Sequence, residues 1–270
     1  MRRWKFIKDD LTSHYGAHQW EIGKWYQVNG QLELCHAGFH CASSIYRALT
    51  YVNAGILAEV ETKGNHILGV GKEGKECWEE MRIVKVNRID KEVWVKFAIY
   101  TAELVVELFE KKYPKDDRPR KAIEAAKFYL EAQDKRAAGE AAALAARGAA
   151  LAADKAALDV ASTEAAMWPH WAAKAAGGAA LVASGPESRA GLAGYWTAWA
   201  AGKAASLPVA WAFWVTNWPA WVFGAPAWII NKNIALFVNW IFSGLPARKR
   251  INEIFDKWLM DEIDRATAQN

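Results

Sequence analysis

The chain has 270 residues, 34 of them basic and 30 acidic, for a net charge of +4, and 53% of its residues are hydrophobic. That length accommodates two domains, and near-balanced charge supplies no global field of the kind that draws a protein to nucleic acid, so a nucleic-acid partner is not expected. Its three cysteines cannot all pair, which fits a reducing cytoplasm better than a disulfide framework.

Residues 1–8 carry charges but no apolar run, so no signal peptide is expected there. Trp4–Lys8 reads as a short strand. Trp20–Val28 reads as a second, with Asn29-Gly30 as a hairpin turn and a returning strand through Leu32 and Leu34. Ser43 or Ser44 then caps a helix with Ile45, Leu49 and Val52 on its apolar face. Ile56–Val60, ended by Gly64, and Arg82–Arg88 are further strands, which makes the first 90 residues a small α+β domain.

Chemistry-bearing side chains crowd into Cys35, His36, His40 and Cys41, with His66 or Cys77 able to complete a four-ligand set. There is no C-x-x-C pair, and Cys35 and His36, as neighbours in a strand, point to opposite faces, so no metal is expected.

Three motifs in order, Gly16-Ala17-His18-Gln19-Trp20-Glu21-Ile22-Gly23-Lys24-Trp25-Tyr26, then Leu34-Cys35-His36-Ala37-Gly38-Phe39-His40, then Val60-Glu61-Thr62-Lys63-Gly64, resemble the DUF7666 family of small phage and bacterial domains, which has no assigned activity. More loosely, Gly38-Phe39-His40-Cys41-Ala42-Ser43, a helix ending near Tyr51, and the strand Ala58-Glu59-Val60 are similar to the central elements of ADP-ribosyltransferases. That resemblance implies NAD as cofactor, His40 and Tyr51 lining its pocket, and Glu61 acting on a ribose hydroxyl. The alternative is that Phe39 and Tyr51 are core.

Val93–Phe109 has helical spacing of apolar residues and forms, with the break from Lys111 to Arg118 that contains Pro114, a connection over residues 91–118. Asp117 is placed to cap a helix with Pro119 in its first turn. The stretch from Phe109 to Ala126 resembles alanine-rich immunity proteins.

Residues 119–270 read as a mostly helical, alanine- and tryptophan-rich array. Alanine is the best helix former, and Ile123, Leu130, Leu144, Leu151 and Leu158 fall in one heptad column, with Glu140, Arg147 and Asp154 in another. Trp168-Pro169 and Ser184-Gly185-Pro186 mark helix boundaries, and Gly177-Gly178 a weak point. Residues 204–231 hold no charge; Trp211, Trp214, Trp218 and Trp221 share one side of a helix there, interrupted by Pro208, Pro219 and Pro226. The favoured reading sets these indoles against the shallow alanine helices. The alternative is membrane association through residues 204–247, with Arg248-Lys249-Arg250 at an anionic surface. A closing helix buries Ile251, Ile254, Phe255, Trp258, Leu259 and Ile263.

The function expected from these observations is that of an accessory protein of phage or mobile elements, acting without catalysis and without cofactor by binding a protein partner, a host or defence component, with Phe39, Trp211, Trp214, Trp218 and Trp221 as binding residues. The aromatic surface also admits an oligomer. The catalytic alternative is the NAD-dependent one, on His40, Tyr51 and Glu61.

Overall fold

A computed structural model describes residues 2–15, 18–49, 51, 56–69, 75–159, 167–186, 189–201, 203–204 and 244–268. Contacts divide the chain into two compact units, one of residues 1–94, 185–195 and 256–270, the other of residues 95–184 and 196–255.

The first unit is built on an antiparallel sheet of β1 (Arg3–Ile7), β2 (Tyr26–Gln27), β3 (Phe39–Ala42), β4 (Ile56–Leu68) and β5 (Lys75–Arg88), in the order β2-β5-β3-β1-β4. Because β5 also pairs with β4, the sheet closes on itself. The long β4–β5 hairpin makes this possible: its β4 start pairs with β1 while the start of β5 pairs with β3. Bulges at Glu59/Val60 and Lys63/His66 supply the extra twist that closure needs. Gly64, at φ +80°, sits at the second bulge and does not end the strand. Ile7, Trp20, Cys41, Ile56, Ala58, Val60, Met81 and Ile83 fill the interior. Trp20 Nε1–H donates to Ser13 Oγ at 2.9 Å, which satisfies the one polar atom of that buried ring.

Helix α1 (Ile45–Leu49) buries Ile45 and Leu49, and Ser44 caps it, its Oγ accepting from Arg47 N–H at 3.2 Å. The expected hairpin around Asn29-Gly30 is different in structure: Gly30 does take φ +118°, but Leu32–Leu34 forms no strand. Instead Glu33 and Ala37 exchange backbone hydrogen bonds of 2.8 and 2.9 Å around a tight turn, and β2 pairs with β5.

In the second unit lie α2 (Lys91–Lys112, from Val95 onward), α3 (Arg118–Glu131), α4 (Lys135–Leu158), α5 (Trp168–Ser184) and the first part of α7 (Gly244–Ala268). A further helix, α6, spans 190–201. Asp117 precedes α3 without a side-chain cap bond and pairs with Lys121 at 2.9 Å instead; Asp134 does cap α4, accepting from Arg136 and Ala137 N–H at 3.0 Å. Arg120 grips Glu110 with two bonds of 2.7 Å, fixing α3 to α2.

Helices α3, α4 and α5 pack together through methyl groups. α4 buries Ala138, Gly139, Ala142, Ala146, Ala149, Ala152, Ala153 and Ala156, and α5 buries Ala172, Ala173, Ala175, Ala176, Ala179, Ala180 and Ala183. Approach is so close that a Cβ added to Gly177 would lie 3.2 Å from Ala149 Cβ. Gly177-Gly178 is therefore a packing site inside a continuous helix. His170 Nδ1–H, buried in this contact, donates to Ala153 O at 2.8 Å.

The heptad column from Ile123 to Leu158 does not form one buried face. The break between α3 and α4 resets the register, so Ile123 is buried whereas Leu144, Leu151 and Leu158 are 68%, 61% and 79% exposed. Trp196 is exposed, and Trp199 touches both Trp171 and Trp196 edge-on at 5.0 and 5.6 Å. Trp211, Trp214, Trp218, Trp221 and almost all of the membrane alternative's segment 204–247 lie outside the described residues. Among the described residues, no helix is long and apolar enough to cross a membrane.

Candidate functional site

The first unit contains a cavity of about 680 Å³. β1 contributes Trp4, Lys5 and Phe6; β3 contributes Phe39, His40, Cys41 and Ala42; the turn before β3 brings Cys35, His36 and Gly38. Lys75 enters from the start of β5, Ala48 and Tyr51 from α1 and its end, and Ser13, His14, Tyr15 and His18 from the loop after β1.

The turn that carries Cys35 is held open by two unusual backbones. Cys35 has φ +71°, and its N–H donates to His40 Nε2 at 2.9 Å, so the imidazole locks the strained residue in place. Gly38 takes φ +125°, and a Cβ there would collide with Cys77 Sγ. Cys77 in turn donates its S–H to Ala37 O at 3.3 Å.

Positive charge dominates the wall, since none of the residues lining it among those described is a carboxylate. Lys5 Nζ donates to His40 O at 3.0 Å, and burial lowers its pKa to about 8, with Lys75 contributing repulsion. Lys75 Nζ lies 3.1 Å from the exposed Cys35 Sγ and 4.9 Å from the centre of the Tyr51 ring. His40 is held neutral: burial first, then Lys75 and Lys5, bring its pKa to about 4. Burial, with Glu76 nearby, pushes the Cys41 thiol up to about 12, so it stays protonated. Glu76 itself is taken by Arg3 Nε at 2.6 Å and Trp78 Nε1 at 2.8 Å.

His18 stacks edge-on against Trp20, Tyr26 and Phe39 at 4.5, 4.6 and 5.4 Å. Desolvation lowers its pKa, and its buried Nε2 has no hydrogen-bond partner among the described residues.

Of the residues singled out in the sequence, His40, Tyr51 and Phe39 meet at this cavity. Glu61 does not: it is an exposed residue of β4, paired with Arg82 Nη2 at 2.6 Å. Cys35, His36, His40 and Cys41 all line the cavity, but no group of three or more His, Cys, Asp or Glu among the described residues is placed to hold a metal ion. The His40 lone pair is already accepting the Cys35 N–H, and Cys41 keeps its proton. Lys5, Lys75, His14 and His18 were not foreseen. Strand alternation alone turns Lys5 away from its neighbours Trp4 and Phe6, and only closure of the sheet shows what it faces.

Residues 1–94 match the family model of a domain of unknown function, DUF7666. Residues 85–201 match that of the Imm-5 like putative immunity protein. No curated protein and no solved structure matches the chain. The stretch that matches the first model holds the cavity, and the stretch that matches the second holds the alanine helices α3 to α5.

Proposed function

We propose that the chain is an immunity-type accessory protein of phage or mobile elements, acting without catalysis by binding a protein partner through the outer face of α4. The observation that supports this reading is an inversion of the usual helix. Within the Imm-5-like stretch, α4 buries its alanines and exposes Leu144, Leu151 and Leu158, three large apolar residues at heptad spacing.

On the same face stand Glu140, Arg147 and Asp154, all exposed, so charges of alternating sign and leucines follow one another at spacings of four and three. The three leucines span about 21 Å along the helix, at 1.5 Å per residue. An apolar row flanked by charges of alternating sign is suited to a helix of complementary pattern, the leucines supplying contact area and the charges fixing register. Burying three leucines against such a helix supplies on the order of 5 kcal/mol before association costs.

The test is capture of a partner from bacterial cell extract on the immobilised full-length chain. The wild-type chain retains a protein in near-equimolar amount, and the chain with Leu144, Leu151 and Leu158 all changed to Gln, immobilised at the same level with an unchanged circular dichroism spectrum, does not. Equal capture by both, or capture by neither, overturns the reading.

A further inference from the structure

We propose that the cavity of the first unit is a binding site for a small anion carrying an aromatic ring, of the nucleotide class. Its volume, about 680 Å³, lies within the range of pockets that enclose ligands of that size. This inference stands apart from the α4 row, which belongs to the other unit.

Three observations converge. First, two lysines, Lys5 and Lys75, approach from different strands closely enough to repel each other, and no carboxylate among the described residues pairs with either. Lys5 directs one donor to the His40 carbonyl, and the contact of Lys75 is a thiol, a weak acceptor. An ammonium has three donors, so both retain hydrogen-bonding capacity that a phosphate oxygen would satisfy while cancelling their repulsion. Second, burial lowers the pKa of both His40 and His18, so the positive charge of the site is that of the two lysines and not of its imidazoles. Third, the side chains of Phe39, Tyr51 and Trp4 line the cavity, aromatic surface of the kind a planar base packs against without its identity being read.

Isothermal titration of the full-length chain separates these contributions. AMP, ADP and NAD are the probes, with adenosine carrying the ring alone and pyrophosphate the charge alone. At least one of the three nucleotides binds with a dissociation constant below about 1 mM, and adenosine and pyrophosphate each bind at least about tenfold more weakly than it. Lys75→Gln and Lys5→Met each weaken that nucleotide about tenfold or more with an unchanged circular dichroism spectrum, while the Leu144, Leu151, Leu158 triple variant binds it as wild type. No binding of any nucleotide at about 1 mM, adenosine binding as tightly as the nucleotide, or full affinity in both lysine variants overturns the proposal.

Discussion

Lys5→Met is the perturbation in which the cavity and the fold pull in opposite directions. Lys5 sits half-buried between Trp4 and Phe6 on β1, and burial takes its pKa from 10.5 to about 8. At 1.36 kcal/mol for each tenfold change in proton affinity, holding the charged form there costs up to about 3 kcal/mol at pH 7. The single hydrogen bond to His40 O returns about 1 kcal/mol. Methionine keeps the length and removes the charge, so the variant is more stable by about 2 kcal/mol at pH 7. The sign with pH follows from proton counting. Between about pH 8 and 10.5 the unfolded chain keeps the lysine proton and the folded chain has lost it, so wild-type stability rises with pH across that window. The variant lacks this rise, and its advantage shrinks as pH goes from 8 to 10.5. Urea unfolding of both proteins at pH 7 and pH 10, followed by tryptophan fluorescence, reads the difference directly. A destabilised Lys5→Met at pH 7, or a gap that does not close by pH 10, refutes the view that Lys5 is retained at a cost to the fold.

Further expectations follow from the same geometry. His40, with a folded-state pKa near 4 against 6.5 in the free side chain, is unprotonated in the fold where the unfolded chain takes up a proton, so it removes up to about 3 kcal/mol of stability as pH falls from 6.5 to 4. His40→Gln lacks this part of the acid limb, which urea midpoints at pH 7 and pH 4.5 compare. Gly38→Ala combines an unfavourable φ of +125° with a collision at Cys77 Sγ and costs about 2 kcal/mol or more; adding Cys77→Ala restores part of it in thermal unfolding, whereas no restoration contradicts the steric account.

Much of the fold is legible from local signals. Ser44 caps α1, Pro119 and Pro169 stand in the first turns of α3 and α5, and the apolar spacing from Val93 to Phe109 is a helix, because each of these depends on chemistry within a turn or two of chain. The DUF7666 resemblance, carried by motifs in order, extends as expected over the front of the chain. What escapes is decided by long-range partners. Leu32–Leu34 alternates like a strand, but the closing β4–β5 hairpin leaves it no edge to pair with, and it becomes a turn. The heptad column of the α4 leucines is legible in the sequence, but the side it faces is not. Close approach of α4 to α5 requires alanine and glycine at the contact, so the leucines go outward. The cavity shows the same limit: His40, Tyr51 and Phe39 were marked by their neighbours in sequence, while Lys5 and Lys75, 70 residues apart, are united only when β1, β3 and β5 assemble.

The role of the α4 face is decided most directly by size-exclusion chromatography with light scattering, run on the purified chain mixed with the protein it captures from cell extract. A single peak at the summed mass of one copy of each, reduced to two separate peaks when Leu144, Leu151 and Leu158 are all glutamine, is the predicted result. Separate peaks with the wild-type chain, or an intact complex with the glutamine variant, contradicts it.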